Sequence, residues 1–164
     1  MNIKVANRDE ILIKRCVELA GSSRQQGYNP FGCVIASKGE IVCEAKNNVD
    51  EGGVTQHAEI VAMPKAIKIK KTKNFKGYTL YSNCGLCPMC SIIIRQLKFS
   101  RVIFSVFSPN VGGFSKWNIL GDKNLPKLGP IFSEPPAIIG GVLEDLGKKV
   151  FDGVGWAHFY RKLA

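Results

Sequence analysis

The chain has 164 residues, of which 45% are hydrophobic and 22% charged, a size and composition typical of one globular domain. A domain of this length buries about 68–70% of its unfolded surface, which excludes a disulfide-dependent mini-protein and argues against a disordered tail. Twenty-three basic residues against thirteen acidic ones leave a net charge of +10, which permits an anionic partner without establishing one.

We expect neither a membrane-spanning helix nor an export signal in this sequence. No stretch approaches the roughly 18 consecutive apolar residues of a membrane helix, and the amino terminus becomes acidic before any signal-peptide core. We therefore expect a soluble, cytoplasmic protein with no membrane partner. Six cysteines could form three disulfides, but Cys84, Cys87 and Cys90 lie together at a spacing that suits a metal or a redox pair better.

The first predicted element is an amphipathic helix over residues 9–20, in which apolar side chains recur at helical spacing. Gly21 is placed to end this helix. Asn7 and Glu10 form a candidate capping pair at its start.

Four β-rich runs follow. Residues 31–37 and 40–45 flank Lys38-Gly39 and predict a hairpin. Residues 77–82 and 101–106 predict a third and a fourth strand.

Two further helices separate these strands. Thr55 is the expected cap of a helix that carries His57 and Glu59 and ends in the lysine-rich residues 65–76. Pro64 lacks an N–H group and predicts a kink in this helix. Residues 88–97 predict the next helix.

Alternating strands and helices indicate an α/β protein, and we expect a three-layer α/β/α fold with a central mixed sheet of about five strands. Periodicity fades over residues 108–136, which are rich in glycine and proline. A loop of this length in a compact domain is usually functional or partly disordered. Residues 141–151 and 156–163 predict two closing helices.

The most informative cysteines belong to Cys87-Pro88-Met89-Cys90, which opens a predicted helix. Residues three apart share one helix face, and proline suits the first helical position, so one metal ion can hold both sulfurs. A helix amino terminus lowers thiol pKa values and favours the thiolates that bind zinc. Alone, such a pair is commonly a redox pair or half of a structural zinc site. An iron–sulfur cluster would need a cysteine where Ile94 stands.

His57 supplies a third ligand if the amino ends of the two helices point at the same place. Three protein ligands leave one position open for water, as in catalytic zinc sites, whereas structural sites take four. Zinc lowers the pKa of bound water to about 7. Glu59 would then take a proton from that water and pass it to a leaving nitrogen.

His57-Ala58-Glu59, followed by the cysteine pair, resembles the zinc deaminases of the cytidine deaminase superfamily, which combine H-x-E with P-C-x-x-C. The resemblance implies hydrolytic release of ammonia from a ring carbon that bears an exocyclic amine. It implies one zinc ion per chain, with Glu59 as the acid/base and with the ligands His57, Cys87 and Cys90. It covers roughly residues 9–106 of a single deaminase domain over 1–164, in which we expect residues 108–164 to form a variable loop and helices that close the site.

Two further motifs favour the branch that contains guanine deaminases and transfer-RNA adenosine deaminases. Residues 30–35, P-F-G-C-V-I, are similar to a family strand, and Asn47-Asn48-Val49 precede the histidine. By resemblance, Asn47 contacts the base, Ala58 offers its backbone N–H and Phe31 lies against the pocket. Relatives in this branch are commonly dimers, so we expect a homodimer.

Three positions depart from the family pattern. Gly85-Leu86 stands where the family usually has Glu-Pro. This difference affects the expected rigidity of the loop before the first cysteine and leaves the zinc ligands unchanged. Pro64 interrupts a helix that is normally unbroken. Gln96 replaces an aromatic residue common in guanine deaminases, which weakens the case for guanine in particular.

The residues and the resemblance suggest three candidate functions. We favour hydrolytic deamination of a free nucleobase or nucleoside, a purine first, because residues 108–136 with Trp117 resemble a lid over a small ligand.

The alternative is a tRNA-specific adenosine deaminase that forms inosine in the anticodon loop, because single-stranded loops are accessible and a basic chain attracts RNA. The lysines of residues 65–76 could follow an RNA backbone, although such runs are usually solvated helix faces. A zinc-binding module without turnover is disfavoured by the intact Glu59.

We expect His158 to be a packing residue and Cys84 a buried or pocket-lining thiol.

Overall fold

The computed structural model describes residues 5–47, 53–153 and 155. Within these residues, four α-helices and five β-strands alternate along the chain. The helices are α1 (Asn7–Gln25), α2 (Ala58–Lys70), α3 (Pro88–Gln96) and α4 (Glu144–Lys148). The strands are β1 (Gly32–Ser37), β2 (Glu40–Lys46), β3 (Tyr78–Cys84), β4 (Arg101–Val106) and β5 (Ala137–Ile139).

The strands form one mixed sheet in the order β2-β1-β3-β4-β5. Strand β1 is antiparallel to both β2 and β3, whereas β3, β4 and β5 run parallel. In the centre of the sheet, Ser82 lies opposite Cys33 on one side and Phe104 on the other. The carboxyl ends of β3 and β4 therefore share one edge of the sheet with the amino end of β1.

Helices cover both faces of the sheet. On one face, α1 packs against β1 and β3 with an apolar stripe that includes Leu12, Ile13 and Cys16. The short helix α4 packs beside α1 against β4. On the other face, α2 and α3 bury Ala62 and Ile94 in the larger apolar cluster. The predicted three-layer α/β/α fold with a mixed five-stranded sheet is confirmed.

The first helix is longer than predicted and is capped by a different residue. Asp9, rather than Glu10, supplies the cap, because its Oδ2 accepts a hydrogen bond of 3.0 Å from the Ala6 N–H group. Gly21 does not end the helix, which continues to Gln25. The prediction of a stop at Gly21 was wrong because a glycine lowers helix propensity without forbidding the helix.

The second helix begins at Ala58 with His57 as its N-cap residue. Thr55 does not cap it and lies instead in a 3-10 turn, Gly53–Thr55. The helix is continuous through Pro64 to its end at Lys70, although proline cannot donate the usual backbone hydrogen bond there. His57 thus stands at the end of α2 that faces the shared edge of the sheet.

The segment after β4 is mostly turns, with one 3-10 helix at Leu125–Leu128. It ends in β5, which the sequence analysis did not predict. The helix predicted over residues 141–151 is shorter, since α4 is followed by a 3-10 turn at Lys149–Phe151. The helix predicted over residues 156–163 lies outside the described residues. In the described part of the chain, no helix is long and apolar enough to cross a bilayer.

Candidate metal and catalytic site

Two helix amino termini meet at the edge of the sheet where β3 and β4 end. His57 is the N-cap of α2 and Cys87 the N-cap of α3, while Cys90 lies in the first turn of α3. The Cys87 and Cys90 sulfurs lie 3.5 and 3.6 Å from His57 Nδ1. The two sulfurs are 3.2 Å apart. The fold thus brings together the three side chains that the sequence analysis singled out as ligands.

The sulfur–nitrogen spacing of these donor atoms fits a zinc ion. All three lie within 4.8 Å of one another. Tetrahedral zinc, with bonds of about 2.3 Å to sulfur and about 2.0–2.1 Å to nitrogen, separates a sulfur ligand from a nitrogen ligand by about 3.5 Å. The observed sulfur–nitrogen distances agree with that value. Three protein ligands leave one coordination position for water or substrate, which is typical of a catalytic centre.

The two cysteines of the pair differ in acidity. The hydrogen bond shared with the Cys90 sulfur, together with the His57 ring, lowers the pKa of Cys87 despite partial burial. The same hydrogen bond, with burial, raises the pKa of Cys90. Cys87 also lies at the amino terminus of α3, where the helix dipole favours negative charge. These influences favour the thiolate form of Cys87, which is the form that binds zinc.

Glu59 lies beside these sulfurs with 5% of its surface exposed. Its Oε1 accepts a hydrogen bond of 2.7 Å from Ser82 Oγ, and its Oε2 is 3.6 Å from Cys90 Sγ. Burial raises the pKa of Glu59, and the hydrogen bond from Ser82 offsets part of that rise. A buried carboxyl with a raised pKa can take up and release a proton near neutral pH.

A pocket of about 480 Å³, including its open mouth, lies beside the three donor atoms. Its lining residues are Asn29, Phe31, Asn47, His57, Glu59, Cys84, Gly85, Leu86, Cys87 and Val111. Asn47 and Phe31 therefore line this pocket, and Cys84 is the buried, pocket-lining thiol that was expected. The sequence analysis missed Asn29 and Val111, because neither belongs to a motif with a recognisable spacing.

Two contacts organise the walls of this pocket. Asn47 Oδ1 accepts a hydrogen bond of 2.8 Å from the Ala58 N–H group, which ties the residue after β2 to the first residue of α2. The Ala58 N–H group is therefore bound to Asn47 in this conformation. The Phe31 ring packs against Phe151, with ring centroids 5.7 Å apart. Residues after α4 thus support the aromatic wall of the pocket.

The loop before Cys87 lacks the family's Glu-Pro and is held by its neighbours instead. The Gly85 N–H group donates to the Val106 carbonyl at 2.7 Å, and the Leu86 carbonyl accepts from the Gly113 N–H group at 2.6 Å. The segment after β4 therefore braces the metal-ligating loop. The Gly112-Gly113 pair is evident from the sequence, but the sequence does not indicate which loop the pair packs against.

Trp117 and most of the lysine-rich residues 65–76 lie away from the pocket. Trp117 is 52% exposed and does not line it, so the long segment contributes Val111 instead. The lysine-rich residues 65–76 run toward the opposite end of α2, which is about 18 Å long at 1.5 Å per residue. His158 lies outside the described residues.

Residues 6–106 match the family model for the zinc-binding region of cytidine and deoxycytidylate deaminases. The matched segment contains the three donor residues and Glu59. The chain belongs to this family and is a zinc-dependent deaminase. The resemblance noted in the sequence is thereby confirmed.

Individual relatives agree with this assignment. A tRNA-specific adenosine deaminase of Bacillus subtilis (strain 168) is 30% identical over 141 residues, which is 84% of this chain and 83% of that protein. A guanine deaminase of the same organism is 40% identical over 83 residues, or 49% of this chain and 53% of that protein. The solved structure of a deaminase that edits the wobble position of transfer RNA superposes with a TM-score of 0.74 at 21% identity, covering 85% of this chain and 98% of the other. At that identity the likeness shows the fold.

Proposed function

We propose that this chain catalyses hydrolytic deamination of a purine-type base, with one zinc ion held by His57, Cys87 and Cys90. The observation that carries the proposal is the convergence of these donor atoms beside the buried Glu59 carboxyl at a pocket. Zinc held there would lower the pKa of a bound water molecule and so make it a nucleophile at neutral pH. All other steps fall to the protein's own side chains.

Glu59 carries out the proton transfers. It accepts a proton from the attacking water and passes it to the ring nitrogen beside the attacked carbon, and it then carries the remaining hydroxyl proton to the leaving amino nitrogen. Water and the amino-bearing ring carbon thereby become a ring carbonyl and ammonia. The raised pKa of Glu59 suits this role, because the carboxyl must hold the proton between the two transfers. Ser82 fixes one carboxyl oxygen and leaves the other near the sulfurs.

Asn47 and Phe31 contact the base in this proposal, and Ala58, whose N–H was expected to face the base, orients Asn47 instead. The Asn47 side chain accepts from Ala58 through its oxygen, so its amide nitrogen is the group that donates to a ring nitrogen or carbonyl of the base. The Ala58 N–H group holds the Asn47 side chain in that orientation. Phe31 supplies an apolar ring that packs against the planar base.

The favoured substrate is a free nucleobase or nucleoside. Val111, from the segment after β4, lines the pocket, and Phe151 supports Phe31. These contacts support a single deaminase domain in which residues 108–164 close the site over a small ligand. The lysine-rich end of α2 points away from the pocket, so it does not line an RNA path at the mouth.

A tRNA-specific adenosine deaminase that forms inosine in the anticodon loop is the second candidate. It is supported by the 30% identity to such an enzyme over 84% of this chain and by the net charge of +10. The target base would enter the same pocket from a single-stranded loop, where little unstacking is needed.

We also propose a cytoplasmic homodimer. All six cysteines are free thiols in the structure, which suits a reducing compartment. The dimer is proposed from the resemblance to a branch whose members are commonly dimeric. Light scattering at micromolar concentration should give twice the mass of one chain, and the mass of a single chain would remove the dimer proposal.

The experiment that tests the function measures two products of the zinc-loaded protein. Ammonia release is followed across free purines, pyrimidines and nucleosides, and inosine formation is followed in transfer RNA at two salt concentrations. We expect purine turnover that salt barely changes, because a neutral base releases no counterions when it binds. Salt-sensitive inosine formation without small-molecule turnover would replace the first candidate with the second. Inactivity in both assays would contradict both.

A further inference from the structure

Six lysines gather at the end of the molecule opposite the pocket. This lysine pole consists of Lys38, Lys70, Lys71, Lys73, Lys76 and Lys98. Its position follows from the sheet, because Lys38 comes directly after Ser37, and Ser37 pairs with Tyr78 at the start of β3. Strand β3 then runs to Cys84 at the pocket, a distance of about 20 Å at 3.3 Å per residue.

Four lysines of the pole line two surface grooves, each of which has one acidic residue. Lys38 and Lys70 line one groove together with Glu40. Lys76 and Lys98 line the other together with Glu134. Among the described residues, no ion pair involves a lysine of the pole. The positive charge at this end is therefore largely unneutralised by the protein.

Three of these lysines stand at backbone positions that lysine disfavours. Lys38, Lys71 and Lys98 have φ values of 50°, 52° and 62°, in the left-handed region. Lys38 precedes Gly39 in a two-residue hairpin turn, where asparagine before glycine is the preferred pair. The other two follow the ends of α2 and α3, where glycine is preferred. Three unrelated turns thus place lysine where the backbone favours another residue.

The property that the three positions share is positive charge at one end of the molecule. Turn geometry does not explain the lysines, because asparagine or glycine would satisfy each turn with less strain. We propose that the lysine pole binds the phosphate backbone of RNA. Lysine is a point charge suited to phosphate, and several such contacts release counterions from the strand. This inference rests on the charge pattern and holds whether the pocket takes free bases or bases within RNA.

The surroundings of the lysines favour a nucleic-acid backbone over a lipid surface. Among the described residues that line the two grooves, Ile41 is the single exposed large apolar side chain, and Phe99 is buried. A membrane-binding face needs a broader apolar surface between its basic residues. Without an exposed aromatic side chain, the grooves also offer no platform for stacking bases, so we expect binding that is independent of sequence.

The test measures binding of a fluorescein-labelled oligouridylate of about 20 nucleotides by fluorescence anisotropy at several salt concentrations. Uracil carries no exocyclic amine, so this probe reports binding separately from deamination. The variant Lys38→Asn/Lys71→Asn/Lys98→Asn should weaken binding about tenfold or more and reduce the salt slope by about 2, because each lost phosphate contact removes about 0.7 from that slope. Its thermal stability should be unchanged or higher, because asparagine accepts the left-handed conformation.

A charge-matched control removes three exposed lysines elsewhere, in the variant Lys14→Gln/Lys116→Gln/Lys149→Gln. This control should change the oligouridylate Kd much less and should keep the salt slope. Equal weakening in both variants would attribute the affinity to net charge and overturn the proposal. Binding to phosphatidylserine vesicles without binding to oligouridylate would overturn it in favour of a lipid surface. The triple asparagine variant should retain base turnover, because its three lysines lie at the end of the molecule opposite the pocket, and a failed deaminase assay leaves this binding test intact.

Discussion

Ser82 Oγ donates a hydrogen bond of 2.7 Å to Glu59 Oε1, and both side chains are buried. Ser82 lies in β3, where it is paired with a residue of β1 on one side and a residue of β4 on the other. A central strand allows little movement, so the Glu59 carboxyl is held by the most rigid part of the sheet. The sheet therefore orients the group to which we assign the proton transfers.

Replacing Ser82 with alanine should slow the reaction without disturbing the metal. Ser82→Ala is expected to lower kcat by roughly 10- to 100-fold, because a hydrogen bond to a charged group contributes about 1.5–3 kcal/mol. KM and zinc content should stay unchanged. Ser105→Ala is the matched control, since Ser105 is a buried serine of β4 whose hydroxyl donates to the Leu143 carbonyl. An unchanged kcat in Ser82→Ala would show that the hydrogen bond does not orient Glu59.

Removing zinc should destabilise the wild-type protein. A strong chelator is expected to lower Tm by several degrees, because a metal that binds only the folded state stabilises that state. Cys87→Ala and Cys90→Ala should start at a lower Tm that the chelator leaves unchanged. Cys43→Ala removes a buried cysteine of β2 and should respond to chelator as the wild type does. A chelator effect that persists in Cys87→Ala would place the metal elsewhere.

Gly113 should be necessary for the geometry of the cysteine loop. A methyl group there would lie 2.3 Å from Ser91 Oγ and 2.9 Å from the Cys87 carbonyl oxygen, so the loop must shift. Gly113→Ala is expected to weaken zinc affinity at least tenfold in a chelator-competition titration. Gly21→Ala is the control, because nothing lies near Gly21 and alanine favours the helix by about 0.5–1 kcal/mol. Wild-type zinc affinity in Gly113→Ala would show that the loop does not depend on this contact.

Acid should erase part of the stability that Asp9 provides. Asp9 accepts hydrogen bonds from the Tyr81 hydroxyl at 2.7 Å and from Arg101 at 3.0 Å, which join α1 to β3 and β4. Burial opposes ionisation, but hydrogen bonds from Ala6, Tyr81 and Arg101 together lower the pKa of Asp9 below its usual 3.8. A carboxyl with a lowered folded-state pKa stabilises the fold above its unfolded pKa, and this stabilisation is lost as pH falls through the folded-state value.

Urea unfolding of wild type and Asp9→Asn tests this sign. The difference in free energy of unfolding should be constant from about pH 7 to about pH 5 and should shrink below about pH 4. Tyr81→Phe should show a smaller loss in acid than the wild type, because one of the bonds to the carboxylate is gone. A difference between wild type and Asp9→Asn that grows in acid would contradict the assignment.

The features that sequence could predict are those encoded over short distances. His57 and Glu59 share one motif, and Cys87 and Cys90 share another, so their proximity within each helix start follows from spacing alone. The alternation of strand and helix likewise predicted the layers and the mixed sheet. The contact between the two motifs rested on the family resemblance, because nothing local indicates that α2 and α3 begin at the same edge.

The features that sequence could not predict depend on partners far along the chain. Ser82 looks like any polar residue of a strand until β3 is placed beneath Glu59. The strand β5 has three residues, too few to show periodicity, and it forms because β4 offers a parallel edge. Ser23 lies in the unpredicted last turns of α1, and its buried hydroxyl shares its proton between the carbonyls of Asn29 and Asn47, both outside the helix.

The most direct test of a zinc-dependent deaminase in which Glu59 moves the protons is a paired measurement on wild type and Glu59→Gln. Zinc content is determined by atomic emission, and ammonia release is measured on the substrate that the wild type turns over. We expect one zinc ion per chain in both proteins, with ammonia released by the wild type and a loss of at least about a thousandfold in the variant. Loss of zinc from Glu59→Gln, or turnover equal to that of the wild type, would contradict the role given to this carboxyl.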